Sequence, residues 1–383
     1  HPWVALDNGR FIGIGTSLKY YLNQDGGSFS DITPIRSTTS AGNVTFAASN
    51  GSATITVTDT AHGAVSGDFV TFSGAASLGG NITAAVLNQE YNITEVLTDN
   101  TYTIAARTAG TSIQDITVNG ALSPTPVTAN GSDTGNGGSS VVGAYQIGIG
   151  LDTSTFGAGW GIGFWGRGTW GSAASTPLVT STLSVWTHDN FGEDLLMNVR
   201  NGGIYYWDKT GGVAARAVSL DSLAGATSTP TIAKQILVSD RDRHIIAFGC
   251  DTEANPGVQD PLAIRFSSQE SLTDWAATAT NTAGELRLGS GSEIVTAVET
   301  RQQILVYTDE SIYAMQFLGP PFTFGVNLVS ENITTMGPLS AVAVEDNVFW
   351  MGLEEFYVYG GTVQRLPCTV RDFVFDDINL NQR

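Results

Sequence analysis

Ile304 to Met315 reads ILVYTDESIYAM: a short apolar run, a polar turn, then a second apolar run that opens on an aromatic. Continuous apolar runs of four or five residues bounded by turn signals read as strands buried on both faces. The figure recurs as FIGIGTSLKYYL from Phe11 to Leu22, as LLMNVRNGGIYYW from Leu195 to Trp207 and as VFWMGLEEFYVY from Val348 to Tyr359. A weaker copy runs from His244 to Phe266, where HIIAFG and PLAIRF flank a longer loop with Asn255, Pro256 and Gly257. The copies that start at 195, 244, 304 and 348 lie 49, 60 and 44 residues apart. That spacing fits blades of about 40 to 50 residues. Blades pack face to face around an axis, so their inner strands need apolar side chains on both sides. Hairpins alone would suit any all-β protein; the spacing is what predicts a β-propeller.

Nothing in the chain competes with an all-β reading. No window long enough for a helix carries apolar residues at i, i+3, i+4 and i+7 without Gly, Pro or runs of Thr and Val breaking it. The second hairpin starts 184 residues after the first, which leaves a gap far longer than one blade. Residues 43 to about 120 fill much of it with segments such as ATITVTD, DFVTFSG and TYTIAAR, which alternate Thr with Val, Ile or Phe. Alternation of that kind predicts a small antiparallel barrel or sandwich with one wet face. Residues 120–140, containing GSDTGNGGSS, read as a linker too polar and glycine-rich to pack. The expected organisation is a first blade or blades over 1–40, an inserted β-domain with its linker over 41–140, and the remaining blades over 141–383.

Phe156 to Gly171 reads FGAGWGIGFWGRGTWG. Its glycines forbid a regular element, while its aromatic surface is too large to leave in water, so Trp160, Trp165 and Trp170 are candidate interface residues.

Composition narrows the function. The 383 residues carry 36 acidic and 17 basic side chains, a formal charge of -19. Lys appears only at 19, 209 and 234, and no basic cluster could neutralise a row of phosphates, so tight nucleic-acid binding by charge is disfavoured. No apolar run reaches the length of a membrane span and no signal pattern opens the chain, so no membrane insertion is expected. Cys250 and Cys368 are read as two free thiols rather than a disulfide framework. The histidines at 1, 62, 188 and 244 lack metal-ligand spacing, and His62 reads as a turn residue. Neither a metal nor a cofactor is expected. No phosphate-loop motif occurs, and the G-x-G-x-x-G at Gly161 to Gly166 is followed by a segment that cannot start a helix. No G-x-S-x-G elbow is present. The adjacent acids Glu193-Asp194, Glu345-Asp346, Glu354-Glu355 and Asp376-Asp377 read as solvated turn acids rather than as a glycoside-cleaving pair. Six N-x-[ST] sequons, at Asn43, Asn50, Asn81, Asn92, Asn130 and Asn332, are expected from chance in so Asn- and Thr-rich a chain.

Sialidases are propellers with repeated S-x-D-x-G-x-x-W boxes, of which Asp25 to Phe29 and Ser271 to Trp275 are faint echoes. Catalysis is therefore not expected. The C-terminal third carries a closer likeness. SIYAMQF at Ser311 to Phe317, GPPF at Gly319 to Phe322, Ser330-Glu331-Asn332, Met336-Gly337-Pro338, NVFWM at Asn347 to Met351, EFYVYG at Glu355 to Gly360 and LPCTVRDFVF at Leu366 to Phe375 resemble the tail hub or nozzle proteins of short-tailed bacteriophages, also called packaged-DNA stabilisation proteins. The likeness in order and spacing covers about residues 180 to 380; Asp31-Ile32-Thr33-Pro34 and the Thr-rich insert match more loosely.

The resemblance implies a β-propeller with an added β-domain, without enzymatic activity, in a six-fold ring below the portal and adaptor that retains packaged DNA and passes it during ejection. Its implied partners are further copies of itself in a hexameric ring, the adaptor or head-to-tail connector, tail fibre or tailspike and tail needle proteins, and double-stranded DNA in transit without sequence-specific binding. Its implied location is the virion tail, assembled in the host cytoplasm. The chain departs from the family pattern at both ends, where more strand sequence is expected. A duct for DNA should not grip it, and the acidic excess suits a lumen that repels phosphates. Glu354 and Glu355 are the candidate lumen-facing acids. The alternatives are a carbohydrate-binding or adhesive propeller and, behind it, a glycoside hydrolase.

Overall fold

The computed structural model describes residues 2–5, 11–108, 125–148, 185–319, 322–376 and 378. The chain is all-β, with 45% of it in strands and 5% in helices. It divides into two compact units, one made of His1–Ile32 with Ile149–Arg383 and the other of Thr33–Gly148.

Within the first unit, each of the five hairpins is the central pair of a four-stranded antiparallel sheet. Sheet one comprises Pro2–Ala5, Phe11–Gly15, Tyr20–Gln24 and Phe29–Asp31. Sheet two comprises Trp186–Phe191, Asp194–Val199, Ile204–Trp207 and Val218–Ser219. Sheet three comprises Gln235–Val238, Ile245–Phe248, Ala263–Phe266 and Gly284–Arg287; a small two-stranded ribbon, Asp251–Thr252 with Asn255–Gln259, fills the loop that weakens its hairpin signal. Sheet four comprises Ile294–Glu299, Ile304–Thr308, Ser311–Gly319 and Thr323–Glu331, and sheet five Ala341–Val344, Asn347–Met351, Phe356–Tyr359 and Val363–Arg365. In every sheet the strands pair in chain order.

Strand alternation sends successive side chains to opposite faces, and the sheets use both. Leu196, Ile204, Ile236, Ile245 and Ala247 form the core between sheets two and three. Ile246, Phe248, Ile264, Ile304, Val306 and Met315 form the core between three and four. Leu305, Tyr307, Ala314, Val348 and Trp350 form the core between four and five. This is why the second strands read as unbroken apolar runs: Ile245 to Phe248 and Leu305 to Tyr307 are wholly buried. Sheets one and two meet through aromatic edges, Tyr20 on Trp186 at 5.2 Å and Phe11 on Trp207 at 5.4 Å. Gly15 makes that approach possible, because a Cβ there would lie 2.5 Å from Trp186 Cδ1.

The first strands are joined by side chains standing in for missing backbone partners. Gln235 of sheet three donates from Nε2 to Ala297 O at 2.7 Å and accepts at Oε1 from Ala297 N at 2.8 Å, reproducing a peptide pairing with sheet four. The Thr187 hydroxyl of sheet two accepts from Ile236 N at 3.3 Å.

The second unit is one seven-stranded antiparallel sheet. Its strands follow the order Ile35–Thr38, Val142–Gln146, Phe69–Ser73, Glu90–Thr98, Thr101–Ala105, Thr54–Thr58 and Thr45–Ala48. Of the barrel-or-sandwich expectation, the barrel needs correcting: no closed barrel occurs among the described residues. The sheet curls instead, aided by two register shifts between Glu90–Thr98 and Thr101–Ala105, so that Phe46 near one end reaches Phe72 at 5.0 Å. One core runs through it, including Val44, Ile55, Val57, Phe72, Ile93 and Ile104. The unit is wider than 41–140, because Ile35–Thr38 pairs with Val142–Gln146 and both flanks belong to the insert. The expectation of an unpacked 120–140 linker also fails over its described part. Asp133 is buried and accepts from the backbone N–H groups of Gly80, Asn81, Ile82 and Asn130 at 2.8 to 3.0 Å. Burial opposes its charge, but these four donors outweigh it and hold its pKa below the ordinary value.

Candidate functional site

The ends of three successive first strands bring three carboxylates together. Asp189 lies within Trp186–Phe191, Asp240 follows Gln235–Val238, and Glu299 closes Ile294–Glu299. Asp189 Oδ2 accepts from Val238 N at 2.8 Å, and Glu299 Oε1 accepts from Asp240 N at 3.1 Å, so each acid caps the backbone of sheet three. Beside them opens a groove of about 500 Å³, lined by Asp240, Arg241, Glu299, Thr300, Arg301, Ala343 and Glu345 from first strands and the turns after them in sheets three to five.

The electrostatics follow from partial burial and like charge. Desolvation raises the Asp189 pKa to about 6; the N–H donors of Val238 and Asn190 pull it down, and the Asp240 charge adds to the rise. Desolvation, then the charges of Asp240 and Asp189, push Glu299 to about 7, against the Asp240 N–H and the Ser239 side chain. Two carboxyls that hold protons near neutrality, next to Arg241 and Arg301, can exchange protons or hydrogen-bond a polar ligand. No group of three or more His, Cys, Asp or Glu side chains suited to a metal ion occurs among the described residues. Asp189, Asp240 and Glu299 were not singled out from sequence, and Glu345 was read only as a solvated turn acid. The first three sit some 50 to 60 residues apart, and only the blade spacing could have aligned them.

The sequence candidates lie elsewhere. Glu354 and Glu355 occupy the turn joining Asn347–Met351 to Phe356–Tyr359, at the opposite end of sheet five from Glu345. Glu354 is exposed, whereas Glu355 is held by Arg371 Nη1 at 2.7 Å. Trp160, Trp165, Trp170 and the G-x-G-x-x-G stretch fall outside the described residues. Ser271 to Trp275 forms a tight turn: Ser271 Oγ accepts from Asp274 N at 3.0 Å, and Trp275 is buried. His62 lies in a turn, buried, its Nδ1 accepting from Ala64 N at 3.0 Å. Of the paired acids, Asp194 accepts from Tyr206 Oη at 2.6 Å and Glu193 pairs with Lys209 at 2.5 Å, while Glu345 and Asp346 are exposed. Cys250 and Cys368 are both free, and burial pushes the Cys250 thiol up to about 12. No described helix is long and apolar enough to cross a membrane.

No family model matches the chain, and no curated protein matches it. Among solved structures it is similar to the endosialidase of phage phi92, at 12% identity and a TM-score of 0.25, over 90% of this chain and 52% of that one. The chain thus spans about half the length of that protein, and a likeness this loose carries no argument about fold or chemistry.

Proposed function

We propose that the chain is a structural, non-enzymatic subunit of a ring-shaped phage tail nozzle, and that its five sheets are the blades of a β-propeller. The observation that carries this reading is the repeated four-stranded sheet: five copies, each with strands in chain order, successive copies meeting through apolar or aromatic faces. A blade is such a unit, unable to shelter its faces alone. The likeness of residues 311 to 375 to nozzle proteins supplies the biological context, and the charge of -19 suits a wall past which DNA slides without sticking. On this reading the chain resides in the virion tail, between the adaptor and the fibre or needle proteins. Negative-stain imaging of the purified protein tests it. Six-fold rings with a central hole are expected; monomers retained on a glycan column would replace the reading with an adhesive propeller.

One observation favours a second reading. Glu299, with raised proton affinity beside Asp240 and two arginines, lines the groove where it can do acid-base work on a glycan. Turnover of a chromogenic glycoside that is lost in Glu299→Gln would establish it over the structural role.

A further inference from the structure

The third and fourth strands of sheet four, Ser311–Gly319 and Thr323–Glu331, outrun the rest of their sheet. Each has nine residues, but the second strand pairs with the third only as far as Ile304 opposite Met315. Beyond that point residues 316–319 and 323–325 continue as a two-stranded ribbon, paired internally through Gln316 with Gly325, Phe317 with Phe324 and Gly319 with Thr323. Two strands alone are marginal in water, so the ribbon depends on what it rests against. It rests on sheet three: Phe324 meets Phe266 at 5.0 Å, and Phe317 packs on Phe324 at 5.5 Å. These rings surround His244, which is fully buried and lies 5.2 Å from Phe324, 5.7 Å from Phe317 and 6.5 Å from Phe266. Its Nε2 shares a hydrogen bond with Thr282 Oγ1 at 3.1 Å, whereas its Nδ1 makes none. A buried polar atom without a partner is uncommon enough to call for an explanation.

Little charge faces the ring from the elements packed on it. Residues 311–330 contain no charged side chain. Thr282 offers a hydroxyl that already accepts from Gln269 N at 2.8 Å, Arg265 beside Phe266 is turned to Ser228, and Arg243 and Glu270 pair with each other at 3.5 Å. On the turn itself, burial holds His244 below the ordinary histidine value, outweighing Asp242, whose charge and backbone both favour the cation. We propose that His244 is an acid-sensitive latch: when the imidazole gains its second proton, the ribbon lifts from sheet three and uncovers the aromatic surface of Phe266, Phe317 and Phe324. The cation has two N–H donors to satisfy inside three apolar rings, so it reaches water where the cage is held least. Phe266 is fixed between two strands, opposite Ile246 and Gly284, while the ribbon has no second-strand partner. Because the folded value is depressed, the docking contributed by neutral His244 is fully present above the unfolded value near 6.5 and is lost as pH falls through the folded one. Glu299, which meets the same turn at Asp240 N, does not oppose this, since a protonated carboxyl still accepts through its carbonyl oxygen. The latch is independent of the nozzle reading.

The test is hydrogen exchange read by mass spectrometry on the whole protein at pH 7.5 and pH 5.0, corrected for the intrinsic pH dependence of exchange. Peptides covering the ribbon are expected to lose protection on acidification, by up to about tenfold per pH unit below the unfolded histidine value, while Ile304–Thr308 keeps its own. His244→Gln and His244→Phe cannot titrate there, and in both the ribbon's protection should no longer depend on pH; His62→Gln and His188→Gln should behave as the wild type does. Equal protection at the two pH values in the wild type, a loss shared by Ile304–Thr308, or a pH dependence that survives either His244 substitution would overturn the latch. Should neither His244 variant fold, NMR of the histidine and phenylalanine rings in the wild type decides. A histidine titrating below about 6.5 with phenylalanine signals moving at the same midpoint upholds the latch. Phenylalanine signals that stay still through every histidine titration sink it.

Discussion

The two units solve the same burial problem differently. In the five-sheet unit no sheet owns a core; each core is shared by two neighbours, and removing a sheet exposes the faces of those beside it. In the insert a single curled sheet folds over its own core, and even its glycine-rich stretch is tied down by Asp133. A unit built of shared interfaces stands or falls as a series, whereas one with a private core can stand alone.

The sharpest way to break that contrast is to separate the units. Residues 33–148 expressed alone should unfold cooperatively in calorimetry, while the remainder keeps its own transition; a non-cooperative insert would show that its core is not self-sufficient. Next in size, Phe248→Ala should cost about 4 kcal/mol by emptying the core between sheets three and four. It should lower only the transition of the five-sheet unit, and equal shifts in both would refute independence. Asp133→Ala should cost about 3 kcal/mol, since it strands buried N–H groups, and should lower only the transition of the insert.

Asp189 and Glu299 give a smaller, pH-dependent effect. Their pKa values are raised by folding to about 6 and about 7, so the stability they contribute is fully present below the unfolded value near 4 and is lost as pH rises through the folded values. The five-sheet unit should therefore melt higher at pH 5 than at pH 8 through these groups. Glu299→Gln, whose amide oxygen still accepts from Asp240 N, should flatten that slope and add about 1 kcal/mol at pH 8, after allowance for solvent screening. An unchanged slope would mean the carboxyl is charged throughout. Smallest of all, Glu355→Gln weakens an ion pair with the solvent-exposed Arg371 and should leave the melting temperature of the five-sheet unit unchanged within calorimetric error.

The contrast also explains what could be read from residue order alone. Second and third strands were legible because burial on both faces leaves nothing but apolar side chains, as in IIAF and ILVYT. First strands were not: WTHDNF looks like a loop, yet its Thr187 and Asp189 are polar because they bond the backbone of the next sheet. The insert's edges were missed because Ile35–Thr38 spells IRST, three of its four residues exposed. Its glycine segment was misread because what holds it is a carboxylate meeting peptide N–H groups, a bond with no hydropathy signature. The groove escaped because it is assembled from turns that only the stacking of sheets brings together.

The amide of Gln235 has a mechanical consequence. Since it mimics a peptide unit between neighbouring first strands, sliding one sheet along the other by a single residue would strand both its donor and its acceptor at once. Force applied along the strands is therefore met by bonds loaded in parallel, in the geometry that resists shear rather than the one that peels open bond by bond.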